Sequence, residues 1–293
     1  MAKTGELKTI TETTMTKTAI KKPVNWQAQA FNPSEDSENQ IHSDEMAKAY
    51  GFKGGLVPGV TVSSYLMHPA LVSWGKSWLD SGYAKIVVHK PLYDGYQFEV
   101  ELDNHSDSGY EASLKDENGT CCATAIVELL QEKNIAPTLR GDPILTKNQN
   151  IPKATRENME KLKQDGMYAL PAKWSEKTTM STYLSDSSMM PALHNFSSAT
   201  EPYANGSYLL SLSNWVLAGN AYMNPWIHLQ TESQYYSAVP NNTDLIVECE
   251  IEDLYEKKGH EFVDLSVNAF NKKTSLCVMT TSLRAIYKLR NIG

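Results

Sequence analysis

Gly54-Gly55-Leu56-Val57-Pro58-Gly59-Val60-Thr61-Val62-Ser63-Ser64-Tyr65-Leu66 is the stretch whose reading decides the fold. It opens as a glycine-rich turn and continues as an apolar helix. Val62, Tyr65, Leu66, Leu71, Trp74 and Trp78 give that helix a broad apolar face, which predicts burial. Pro69 inside it predicts a kink or break. Beyond the helix the apolar period changes from helical to two, the mark of half-buried strands. Strands are expected at 83–89, 96–102, 110–115 and 120–130. Turn signals separate them at Asp94-Gly95, Ser108-Gly109 and Asn118-Gly119, the last suited to a type I′ hairpin.

The same order returns later in the chain. Residues 205–221 form a second apolar helix, carrying Leu209, Leu210, Leu212, Trp215, Val216 and Leu217. Strand-like runs follow at 226–231, 244–252, 261–270 and 275–287. Phe98-Glu99-Val100-Glu101 aligns with Leu245-Ile246-Val247-Glu248, an offset of 147 in a chain of 293 residues. The pattern is a duplicated helix-plus-sheet unit, one helix on each curved antiparallel sheet, an α+β arrangement. Edge-to-edge pairing into one continuous sheet would hide the edge strands that each unit alone exposes. Residues 1–22 lack apolar periodicity and read as a disordered arm. The first unit is expected at 23–132 and the second at 201–293. The polar, Met- and Ser-rich residues 133–200 read as an irregular connector.

Composition bounds the function. With 41% hydrophobic and 21% charged residues, the chain is that of an ordinary globular protein. The net charge of −7, with no basic stretch, gives none of the field a nucleic-acid binder needs. No apolar window spans a bilayer and no signal-peptide pattern opens the chain, so a soluble, cytoplasmic protein is expected. The four cysteines, Cys121, Cys122, Cys249 and Cys277, form no CxxC pair and read as reduced core thiols, so neither a metal nor another cofactor is implied. Nucleotide-binding, zinc-protease and serine-hydrolase motifs are missing.

Just before the first helix lie Asn39-Gln40-Ile41-His42-Ser43-Asp44, then Tyr50-Gly51-Phe52, then Leu56-Val57-Pro58-Gly59-Val60. Ser43 is expected to cap a short helix that Asp44 and Glu45 favour and Gly51 ends. The whole stretch resembles the signature of the MaoC-like (R)-specific enoyl-thioester hydratase and dehydratase family. The resemblance implies a double hotdog fold. The implied activity is acid/base addition or removal of water on enoyl and 3-hydroxyacyl thioesters carried on CoA or an acyl carrier protein. Such chemistry needs a base, an acid and donors aimed at the thioester oxygen as enolate charge develops.

Carried over, His42 matches the catalytic histidine, Asn39 the motif asparagine, and Gly59 with Val60 the helix opening whose N–H groups bind the thioester oxygen. Three positions depart from the signature. Ser37 stands at the catalytic aspartate, Gln40 replaces a proline, and Pro58 replaces a histidine. Asp36 and Asp44 are the candidate replacement carboxylates. His68 reads as a core histidine, and Lys257-Lys258-Gly259-His260-Glu261 as a hairpin turn. The second helix opens at Asn205-Gly206 without an Asn-x-x-His before it, and His194-Asn195 stand in the reverse order. The second copy is therefore expected to be non-catalytic and to help form an acyl tunnel, with a homodimer of such double units as a further expectation. Two other readings stay open, a catalytically degenerate acyl-thioester binding or scaffold protein and a hotdog thioesterase.

Overall fold

The structure, a computed structural model, describes residues 22–175 and 203–290. Residues 1–21 of the expected arm at 1–22 and the His194-Asn195 pair lie outside the described residues. Ten strands make one antiparallel sheet: β1 (Trp26–Gln29), β2 (Gly82–Val88), β3 (Gln97–Asp103), β4 (Gly109–Asp116), β5 (Cys121–Leu129), β6 (Leu170–Trp174), β7 (Ile227–Tyr235), β8 (Thr243–Lys257), β9 (His260–Asn271) and β10 (Cys277–Lys288). Their order is β1-β3-β4-β5-β2-β7-β10-β9-β8-β6, so the second half mirrors the first. Among the described residues five α-helices accompany them: α1 (Asp44–Ala49), α2 (Gly59–Trp74), α3 (Lys76–Ser81), α4 (Arg156–Asp165) and α5 (Gly206–Asn220).

Duplication is visible in the spacing. α5 opens at Gly206, 147 residues after Gly59 opens α2. The two halves join along β2 and β7, where Lys85 faces Glu232 at the same offset. Their ion pair, 3.1 Å long, lies near the middle of the junction. α2 and α5 are buried nearly all round, as helices wrapped by a sheet and packed on each other must be. Ser207 Oγ donates to the Val60 carbonyl at 3.3 Å, tying the two helix openings together.

Pro69 does not end α2; the helix runs on through it to Trp74 and stops at Gly75. Pro69 cannot donate to the Tyr65 carbonyl, and the Trp26 indole N–H takes its place at 3.1 Å. One residue on, the Tyr110 hydroxyl bridges the turn, donating to the Leu66 carbonyl at 2.8 Å and accepting from the Ala70 N–H at 3.3 Å. The backbone groups that proline disturbs are thus satisfied from β1 and β4.

Other expectations are corrected. The Asn118-Gly119 turn is not type I′, because a positive φ occurs at Gly119 and not at Asn118. Asp116 Oδ1 accepts from the N–H groups of Asn118 and Thr120, and the β4–β5 register shifts after Leu114, so the loop closes with a bulge. Ser43 makes no side-chain cap; its hydroxyl donates to the Gln40 carbonyl. Residues 133–175 are not an irregular connector, since they carry α4 and β6, and β6 pairs with β8 as β1 pairs with β3. The fully buried carboxylate of Glu248 on β8 also anchors this segment, accepting from the N–H groups of Arg140, Gly141 and Asp142 at 2.8, 2.6 and 3.0 Å. The expected turn at 257–261 is present, with Lys258 and Gly259 at positive φ between β8 and β9. All four cysteines are free thiols.

Candidate active site

Two short elements carry the motif, a 3₁₀ turn at Gln40–His42 and α1 behind it. Ile41 anchors the turn. It is fully buried in a small cluster with Ala47 and Leu56, against Tyr50, Phe52 and Ile227. The loop before α2 passes directly over this turn: Leu56 N–H donates to the Ile41 carbonyl at 3.2 Å. That passage explains Gly55, where a Cβ would stand 2.1 Å from the His42 carbonyl oxygen.

His42 is held from both sides. Its Nδ1 lies 2.7 Å from the Leu56 carbonyl, which can only accept, so the proton sits on Nδ1 and Nε2 keeps its lone pair. Nε2 is 3.4 Å from the Asn39 amide nitrogen. Burial holds the imidazole below the usual histidine range against the opposing pull of the Leu56 bond, so the ring is neutral at pH 7. Asn39 is itself fixed by the second unit, donating to the Trp226 carbonyl at 3.0 Å and accepting from the Trp226 N–H at 3.1 Å. Gln40 N–H donates to Asn224 Oδ1 at 3.1 Å in the same segment.

α2 begins beside these groups. The Pro58 carbonyl accepts from Thr61 and Val62, which leaves the N–H groups of Gly59 and Val60 without an intrahelical acceptor at the positive end of the helix. Gly59 is needed here for space rather than for a turn: a Cβ would meet His228 Cδ2 at 2.6 Å. His228 lies on β7, and its Nδ1 is 3.0 Å from Asn214 Oδ1 on α5.

Two cavities meet at this point. An apolar one of about 160 Å³, walled by Val57, Val62, Leu92 and Leu229, also contains Asn39, His42, Gly59, Asn214 and His228 in its lining. A larger and more polar one, about 380 Å³, is lined by Ser37, Glu38, Val60, Ser207 and Ser211. Asn39, His42, Pro58, Asn214 and Trp226 belong to both and form the shared wall.

The structure therefore brings together His42, Asn39, Gly59 and Val60. It does not bring in the two carboxylates. Asp36 is exposed and lines neither cavity. Asp44 is exposed too and is already engaged, by Lys48 at 2.7 Å and by the Gly55 N–H at 2.9 Å; both bonds hold its carboxyl below the usual range. Asp44 is a brace for the loop, outside both cavities. His68 packs on the Trp26 ring and also lies outside them. Glu38, Asn214, Trp226 and His228 carry no motif spacing, and sequence reading passed over their place in the site. Among the described residues no cluster of three or more His, Cys, Asp or Glu could hold a metal ion.

No protein-family model and no curated protein matches the chain. Solved structures do. A hypothetical protein of Mycobacterium tuberculosis, described as having a double hotdog fold, superposes with a TM-score of 0.56 at 12% identity, over 91% of this chain and 96% of its own. The fold is a double hotdog. A MaoC-like dehydratase superposes with a TM-score of 0.50 at 9% identity, over 91% of this chain and 98% of its own. The tesB protein of Mycobacterium avium subsp. paratuberculosis matches at 0.52 and 9%, over 91% and 93%. In this double hotdog the site straddles the two units: the first supplies His42, Asn39 and the α2 opening, the second Trp226, Asn214 and His228. No helix among the described residues is long and apolar enough to cross a membrane.

Proposed function

We propose that the protein adds water to, or removes it from, enoyl and 3-hydroxyacyl thioesters carried on CoA or an acyl carrier protein. The observation that carries this reading is His42. It is a neutral imidazole whose Nδ1–H is donated to Leu56 and whose unprotonated Nε2, 3.4 Å from the Asn39 amide, sits in the wall between an apolar and a polar cavity, beside two helix-opening N–H groups. In the dehydration direction Nε2 takes a proton from Cα of the 3-hydroxyacyl thioester. Charge developing on the thioester oxygen is met by the N–H groups of Gly59 and Val60. The imidazolium so formed is a stronger acid than usual because burial disfavours it, and it returns the proton to the departing 3-hydroxyl. The C–O bond breaks, water leaves and the Cα=Cβ bond remains. One imidazole thus serves as base and then as acid, which fits a site whose apolar cavity has no carboxylate in its lining. The acyl group occupies the apolar cavity, and the carrier arm approaches through the polar one.

Loss of the enoyl absorbance of crotonyl-CoA and longer enoyl-CoAs tests the reading. Turnover is expected to fall ~10²–10⁴-fold in His42→Gln. A folded wild-type protein that turns over no chain length overturns it. The lack of a carboxylate in the apolar cavity also favours a second reading, acyl-thioester binding without chemistry, which predicts tight binding and no turnover. A thioesterase is less well supported, because the first turn of α2 contains no acidic residue to activate water against the thioester carbonyl.

A further inference from the structure

His228 is a buried imidazole in the same cavity that the mechanism above leaves unused. Its position comes from an irregularity in β7. Thr231, Ser233 and Tyr235 form the buried row of that strand, and unbroken alternation would place Leu229 next in the row. Instead Gln230 faces Arg284 and His228 faces Ala285, so Leu229 is the extra residue of a bulge. The bulge turns His228 inward, against Gly59 at the opening of α2.

Its polar atoms are in a defined state. Nδ1 donates to Asn214 Oδ1 at 3.0 Å, so Nε2 keeps its lone pair. His228 is 7% exposed, and burial pushes its pKa down to about 4, so the ring is neutral at any working pH. Nε2 is buried with no hydrogen-bond partner among the described residues. A buried acceptor left open, on a ring that lines a ligand cavity, calls for a donor from the ligand.

We propose that His228 Nε2 accepts a hydrogen bond from the 3-hydroxyl of the acyl thioester or, in the reverse direction, from the water that becomes it. The inference rests on the thioester reading above and goes beyond it. The second unit supplies the hydroxyl acceptor that Ser37, standing where the signature has aspartate, does not. His228 transfers no proton; it positions the oxygen while His42 moves the proton. It also gives the site a means of preferring 3-hydroxyacyl groups over saturated ones.

The test uses the full chain with His42→Gln, whose turnover is slowed ~10²–10⁴-fold so that binding can be read. Isothermal titration compares (R)-3-hydroxybutyryl-CoA with butyryl-CoA. The hydroxylated thioester is expected to bind ~3–10-fold more tightly, the worth of one neutral hydrogen bond. In His42→Gln/His228→Phe the ratio should fall to about one while butyryl-CoA still binds, which also shows that the variant folds. If His228→Phe does not fold, His228→Leu in the same background serves instead; it also removes the acceptor, and the preference should again be lost. Equal affinities before His228 is changed, or a preference that survives both substitutions, overturn the role of His228. A wild-type protein that binds neither thioester overturns the thioester reading itself.

Discussion

Replacing His228 should change how stability depends on pH, by an amount the structure fixes. Its folded pKa is about 4 against an ordinary value of 6.5. The unfolded ring takes up a proton below 6.5, and the folded ring does not until about 4. The contribution is therefore whole above pH 6.5 and is lost as pH falls toward 4, at ~1.36 kcal/mol per pH unit where the two states differ by a full proton. Between pH 7.5 and 5.5 the expected loss is about 1.3 kcal/mol by the same linkage. That window stays above the ordinary carboxylate range, so acid unfolding of Asp and Glu contributes little. His42 is displaced in the same direction, but it is present in both proteins and cancels in the comparison. Urea unfolding of the wild type and His228→Phe at the two pH values measures the difference. The wild type should lose about 1.3 kcal/mol more than the variant, whatever constant offset the new ring introduces. Identical pH dependence in the two proteins would refute a buried, neutral His228, and with it the acceptor assigned to Nε2.

Further expectations concern the frame of the site. Gly59→Ala drives a Cβ into His228 and should cost ~1–3 kcal/mol by thermal or urea melting; most of that cost should vanish in a His228→Ala background, since the two residues are in contact. Asn39→Asp keeps an acceptor for the Trp226 N–H but sets a carboxylate oxygen against the Trp226 carbonyl, so kcat should fall with it while Asn39→Ala loses less. Glu248→Gln turns an amide N–H toward the three N–H groups of residues 140–142 and should destabilise the protein by ~2–4 kcal/mol, read as a shift of the denaturation midpoint. Lys85→Met at the β2–β7 junction removes a pair in which both side chains are about 40% exposed, and should change stability by under ~1 kcal/mol.

The duplicated architecture was legible because it is written in periodicity. Two apolar helices open at glycines 147 residues apart, and each is followed by four strands with two-residue alternation. The short edge strands β1 and β6 were not legible: four or five residues such as Trp26–Gln29 hold too few alternations to stand out, and pairing with β3 and β8 determines them. That α2 runs on through Pro69 was not legible for a related reason, since the partners that satisfy the carbonyls it disturbs, Trp26 and Tyr110, lie about 40 residues away. In the site, His42, Asn39 and Gly59 were found because they share one local motif. His228 was not, because its inward aim depends on a bulge at Leu229 that no local pattern announces. Gly59 was read as a turn residue, whereas it is kept small by an imidazole 169 positions further along the chain.

That long-range pairing bears on why a fused pair of units would carry one site. Several long-range fixed points around His42 come from the second unit: the Trp226 backbone holds Asn39, Asn224 holds the turn at Gln40, and His228 closes over Gly59. At the corresponding opening of α5, the space beside Gly206 is filled by Met67 and the Tyr235 hydroxyl. Tyr235 is fully buried, its ring packs on Trp78 and its hydroxyl reaches Met67, so this opening is plugged by core side chains. Duplication produced two helix openings of the same geometry, and side-chain bulk decides which of them keeps a cavity. Filling the first in the same way, with Val62→Phe at the apolar wall, should abolish thioester binding and leave the fold intact; undiminished binding of butyryl-CoA to that variant would show that the acyl group lies elsewhere.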